Sequence, residues 1–166
     1  MILGLSIATF TLLHVIISLT AILSGSVVVF AMIGGRKPAG WTALFLATTL
    51  LTSVSGFLFP VGHFTPALGT GAVSLLLLAA ALVALYGKHL TGAWRWIYVV
   101  TAVTALYLNV LVLIVQAFLK VPQLQSLAPN GNEPPFLIAQ TAALLLFVAL
   151  GIAAIIRFRP ASMRPI

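Results

Sequence analysis

The sequence predicts an all-α integral membrane protein, a single domain built as a bundle of five transmembrane helices, N-terminus out and C-terminus in. Three observations carry this prediction. Hydrophobic residues fill 62% of the 166 positions and charged ones only 5%, and the mean hydropathy is +1.24, so little is left to make a polar surface. The apolar residues gather in runs at about 5–33, 41–60, 66–86, 94–119 and 136–156, each at or above the ~20 residues a helix needs to cross ~30 Å of hydrocarbon. With five crossings, seven of the eight basic residues fall on one side, and basic residues in short loops stay cytoplasmic.

The first run has no Lys or Arg before it and is much longer than the roughly 7–15 apolar residues of a signal peptide, so it reads as a retained span. It ends at Gly34-Gly35-Arg36-Lys37-Pro38, a basic turn. Trp41 marks the inner interface where the second span begins, and Pro60 closes that span. Val61 to Pro66 is a tight outer turn into the third span, which runs to Tyr86. The inner loop Gly87 to Gly92, with Lys88 and His89, leads to the interfacial anchor Trp94-Arg95-Trp96 of the fourth span. His89 beside Lys88 reads as a headgroup contact. The outer loop 120–135, with Lys120, four prolines and Asn130-Gly131-Asn132, is the only long connection. The fifth span ends in Arg157, Arg159 and Arg164.

Composition removes whole classes of function. The chain has no cysteine, which excludes disulfides, thiol chemistry, iron–sulfur ligation and cysteine-based zinc sites. It has no aspartate, and its one glutamate, Glu133, lies in the outer loop. Proton-coupled pumps carry protons on intramembrane Asp, Glu or His, so that class is reduced to what histidine alone supplies. The net charge of +7 is not a nucleic-acid signal here. Its carriers orient the chain and meet anionic lipid headgroups at the inner rim.

Small residues recur at helical spacing: Ser18, Ala21 and Gly25 in the first span, Thr48, Thr52 and Gly56 in the second, Gly151 and Ala154 in the fifth. In lipid such stripes let helices approach closely. They suit packing against a membrane-protein partner or a second copy as well as within the bundle.

Depth counting, at ~1.5 Å of rise per residue, brings His14, His63, Gln116 and Gln140 to one level near the outer face, with Asn109 a turn or two deeper. His14 continues the Ser18, Ala21, Gly25 stripe. Asn109 and Gln116 extend a stripe from Tyr98 through Ala102, Ala105 and Val112, and Gln140 shares a face with Leu144, Phe147 and Gly151. These side chains therefore point inward. One reading makes them an outward-facing pocket in which His14 and His63, with Asn109, Gln116, Gln140 and the nearby Tyr107 or Glu133, hold haem b, a metal ion or a quinone. The other makes the amides interhelical hydrogen-bond glue. Ser53-Val54-Ser55-Gly56 is only loosely like the Gly-x-Ser-Gly of rhomboid proteases, and counting inward from Pro60 places Ser55 out of register with His14. No nucleotide-binding loop or metalloprotease motif occurs.

Leu13-His14, Ser24-Gly25, the Gly-Gly-Arg-Lys turn at 34–37 and Ser55-Gly56-Phe57 resemble the small bacterial multi-span proteins grouped as domains of unknown function, over about the first 120 residues, and a second block, Tyr107-Leu108-Asn109, Gln116-Ala117-Phe118 and Pro134-Pro135-Phe136 with Gln140, has the look of a family signature. The resemblance implies a bacterial cytoplasmic (inner) membrane protein and no activity. The reading favoured by the sequence is a non-enzymatic membrane component or accessory subunit. The alternative is a redox or ligand-binding protein using the level of His14 and His63.

Overall fold

The computed structural model describes residues 1–60, 62 and 65–159. The described chain is helical throughout its spans: α1 Ile7–Ile33, α2 Ala39–Gly56, α3 Pro66–Leu82, α4 Trp94–Lys120, the single turn α5 Pro122–Gln125, and α6 Pro134–Arg157. Four helices are long and apolar enough to cross a membrane: α1, α3 with its extension to Gly87, α4 and α6. α2, with 18 residues rich in threonine and serine, falls short of that apolarity.

Local chemistry sets the ends. Ser6 accepts a hydrogen bond from the Thr9 N–H and so starts α1 about where its apolar run begins. Thr65 accepts from the Leu68 N–H, and Pro66 takes the first position of α3, where a missing N–H costs nothing. α2 ends a turn before the expected Pro60. The Phe57 and Leu58 N–H groups turn back to the Val54 and Ser55 carbonyls and tighten the chain out of the α-helix. α3 does not run straight to Tyr86 but widens into a π turn over Val83–Gly87. Leu90, with φ 60°, pays left-handed strain and buries its side chain in the core.

Helices consecutive in the chain pack antiparallel, whereas α1 and α6 both run toward the basic end. Going outward along α1, Gly25 meets Phe45, Ser18 meets Thr52 and His14 meets Ser55, so residue numbers rise on α2 as they fall on α1. The same reversal joins α4 to α6, from Arg95 at Ile155 through Val103 at Gly151 and Tyr107 at Phe147 to Phe118 at Phe136. α2 packs on α3, α3 on α4, and α6 on both α4 and α1, while α1 also touches α4. The helices thus close a ring, crossed inside by the α1–α4 contact. Arg36, Lys37, Lys88, Arg95, Arg157 and Arg159 consequently lie at one end, with Lys120 and Glu133 at the other.

Packing is tightest in the half nearer the basic end. Phe45, Ala81, Ala84, Tyr98, Val99, Ala102, Ala105, Ala154 and Phe158 are each fully buried there. At Gly25 an added Cβ would lie 2.7 Å from both Leu106 Cδ1 and a Phe45 ring carbon, so only glycine allows α1, α2 and α4 to come this close. The expected small-residue stripes are used within the chain: Gly25 against Phe45 and Leu106, Thr52 against Ser18, Gly151 against Val103. α6 buries little, and Leu137, Ile138, Leu145, Val148, Ile152 and Ile156 point away from the bundle.

Candidate functional site

The polar side chains of the spans form a broken ladder along the α2 seams. Outermost, His14 Nδ1 lies 2.7 Å from Ser55 Oγ, the pairing that depth counting had placed out of register. The two residues are half-buried, and the Phe59 ring stands edge-on to the imidazole at 5.3 Å and itself meets the Phe10 ring edge to face at 5.1 Å. Gly56 leaves room beside His14 Cε1, which a Cβ at that position would approach to 3.9 Å. One turn deeper, Ser18 Oγ lies 3.3 Å from Thr52 Oγ1 while also donating to the His14 carbonyl at 2.7 Å. Another turn in, Asn109 Nδ2 on α4 donates to Thr49 Oγ1 at 3.2 Å. The ladder then stops at the Gly25, Phe45, Leu106 contact.

Ser55 Oγ is also placed to donate to the Thr52 carbonyl at 3.2 Å. A hydroxyl has one proton. When that proton goes to Thr52, His14 Nδ1 carries the ring proton and donates to Ser55, and Nε2 keeps its lone pair. When the proton goes to His14 instead, the pair has the polarity of a nucleophile and its base. A hydrolytic pair also needs a group to orient the base and donors for an oxyanion. The chain has no aspartate, and its one glutamate is in the outer loop, so no carboxylate orients His14.

The remaining candidates lie elsewhere. Gln140 Nε2 on α6 donates to the Leu111 carbonyl of α4 at 3.3 Å, and its Oε1 is buried without a partner among the described residues. Gln116 is half-buried and makes no side-chain hydrogen bond among the described residues. Tyr107 stacks on Phe147 at 5.8 Å. Among the described residues no hydrogen bond joins any two of His14, Asn109, Gln116 and Gln140; His63 lies outside them. Nor do the described residues contain a group of three His, Cys, Asp or Glu side chains able to hold a metal ion. No family model, curated protein or solved structure matches the chain. Its function is therefore argued from its own geometry.

Glu133, which the sequence offers alongside Tyr107 as an alternative helper of the pocket, organises the 120–135 loop. Its carboxylate accepts from the Asn130 backbone N–H at 3.0 Å, the Asn130 side-chain amide at 2.8 Å and the Asn132 N–H at 3.1 Å. Desolvation acts to raise its pKa, but these donors outweigh it and hold the carboxyl below its ordinary value.

Two interactions at the basic end had no sequence signal. Arg95 reaches across to α6, where Nη1 donates to the Ile155 carbonyl at 3.0 Å and the Phe158 carbonyl at 2.6 Å. It thereby supplies charge-assisted donors to carbonyls that the end of α6 leaves without helical partners. Phe158 folds in beneath it, buried beside Tyr98 at 6.1 Å. The sequence marks Arg95 only as an orienting charge, because the carbonyls it serves lie 60 and 63 residues away.

Proposed function

We propose that this chain is a non-enzymatic component of the bacterial cytoplasmic membrane, crossing it five times with its basic end inside, and that it serves as a structural or accessory subunit. The observation that carries this is how the polar groups are used. His14, Ser18, Asn109, Gln140 and Arg95 each bond to a neighbouring helix, as expected where no water is available to satisfy them. α2 supports the fifth crossing. Its 18 residues extend about 27 Å at ~1.5 Å per residue, close to the ~30 Å core, and it runs antiparallel beside α1. Its hydroxyls at Thr48, Thr49, Thr52 and Ser55 have partners, while the buried Thr42 Oγ1 has none among the described residues.

The test has two parts. Reporter fusions at Lys88 and after Arg159 should read cytoplasm and one within 121–134 the outside; an outside reading after Arg159 removes the five-span topology. Protein extracted from its own membrane in lipid nanodiscs should be colourless and should carry a second polypeptide or a second copy when weighed by native mass spectrometry. A lone chain with a stoichiometric chromophore, metal or quinone would sink the subunit reading.

One observation favours the second reading, a redox or ligand-binding protein. Fixing one imidazole nitrogen by a hydrogen bond leaves the other oriented as a ligand, and Ser55 fixes His14 Nδ1 in this way. In that reading His14 Nε2 binds a haem, a metal ion or a quinone, and His14→Ala abolishes the bound signal while the helical circular dichroism stays unchanged.

A further inference from the structure

The basic end is not uniformly basic. Gly35, in a left-handed turn at φ 72°, sits so close to the end of α6 that a Cβ there would lie 3.7 Å from the Arg157 carbonyl. The α1–α2 turn that carries Arg36 and Lys37 therefore abuts the α6 terminus that carries Arg157 and Arg159. Arg95 is at the same place but has turned its guanidinium to the Ile155 and Phe158 carbonyls. Lys88 belongs to the α3–α4 loop, where its ammonium lies 5.7 Å over the Trp94 ring. Among the described residues, one sector of the rim, the α1–α6 seam, thus presents four exposed cations, Arg36, Lys37, Arg157 and Arg159. The chain's only acidic side chain, Glu133, is at the opposite end, so no acidic side chain faces these cations.

Outward of Arg157 along α6, and about a third of a turn round the helix from it, Leu145, Val148, Ile152 and Ile156 lie at helical spacing, all at least half exposed. From Leu145 to Ile156 this stripe extends about 16 Å at ~1.5 Å per residue, which is one leaflet of a ~30 Å core. A shallow apolar groove lined by Leu137, Ile138, Thr141 and Leu145 continues the same face farther out. Four unneutralised cations above a leaflet-deep apolar stripe are complementary to a phospholipid. Three arginines and a lysine across two chain segments suit more than one phosphate, since each guanidinium binds a phosphate through paired donors.

The geometry points to a lipid site at the α1–α6 seam selective for a phospholipid with two phosphodiester groups, held by Arg36, Lys37, Arg157 and Arg159 with its acyl chains along α6. This rests on the reading of the basic end as the membrane rim. The site differs from general attraction of the whole rim to anionic lipid in having a location and a stoichiometry.

Native mass spectrometry of the full chain in detergent, titrated with tetraoleoyl diphosphatidylglycerol, dioleoyl phosphatidylglycerol or dioleoyl phosphatidylcholine, reads both. The wild-type protein should retain one two-phosphate lipid in preference to two single-phosphate lipids. Each of Arg36→Gln and Arg157→Gln should weaken retention about fivefold, the effect of one cation near a charged lipid surface, while Lys88→Gln leaves it unchanged. Equal retention of the one- and two-phosphate lipids by the wild-type chain overturns the proposal whatever the variants do, and so does an equal loss in Lys88→Gln. Full displacement by inorganic pyrophosphate would make the site one for a soluble anion and also overturn it. The reporter fusions fail independently: an inverted topology moves the site to the other leaflet but leaves retention in detergent as stated.

Discussion

Ser55 Oγ stands 2.7 Å from His14 Nδ1 across the α1–α2 seam, one turn outward of the Ser18–Thr52 contact on the same pair of helices. The two contacts hold the outer halves of α1 and α2 together where the tight packing around Gly25 does not reach. Interhelical polar contacts in a bilayer average about 0.6 kcal/mol, reaching about 1.7 at most. A double-mutant cycle of His14→Ala and Ser55→Ala, read by denaturation in mixed micelles, should give a coupling energy in that range. Strict additivity would mean that the hydrogen bond contributes nothing beyond its parts.

Gly25 makes a stronger demand on the packing. In an unobstructed helix, alanine would stabilise by about 1 kcal/mol over glycine. Here the new methyl group meets Leu106 and Phe45, both fully buried, so that one of them must shift within the packed core. Overpacking of this kind costs about 1–3 kcal/mol, so Gly25→Ala should lower stability where helix propensity alone would raise it. An unchanged or increased unfolding midpoint would show that α1, α2 and α4 separate more easily than their contacts imply.

Arg95 ties the end of α6 to the start of α4. Removing a charged donor from partly buried carbonyls costs about 1.5–3 kcal/mol, and Arg95→Gln should lose roughly that much. The loss should be local: amide exchange at Ile156, Arg157 and Phe158 should quicken while the α1–α2 amides keep their protection. Uniform acceleration across all helices would contradict a local tether.

The outer loop should respond to acid. The Glu133 carboxyl is held below its ordinary pKa by donors from Asn130 and Asn132, so the ordering it contributes is complete above the unfolded pKa. It is lost as pH falls through the lower, folded value. The Asn130 and Asn132 amide signals should shift together in that acid window and stay still in Glu133→Gln. Movement at neutral pH, or movement that persists in the variant, would assign the transition to another group.

The residues show what a linear reading reaches and what it misses. Apolar run lengths place α1, α4 and α6 to within two residues, and the Ser18, Ala21, Gly25 and Tyr98, Ala102, Ala105 stripes do face other helices. Both signals are local and repeat with the helix, so they survive small errors. Pairings between helices do not. Successive residues on a helix point about 100° apart, since 3.6 residues complete a turn, so an error of two in the end of α2 turns Ser55 away from His14. The expected end at Pro60 carries an error of four. Arg95 was legible as a charge but not as a cap, because its carbonyl partners are on the last helix and every residue has a carbonyl.

The packing of α6 against α1 also sets a timetable. Roughly 120 residues separate the end of α1 from the end of α6, and at about 5–20 residues per second of synthesis the first helix waits several seconds for its final neighbour. During that interval the α1–α2 pair is already joined through Gly25, Ser18 and His14, while the side of α1 destined for α6 faces lipid. Ring closure therefore waits for α6. Until then the ring is open on that side of α1.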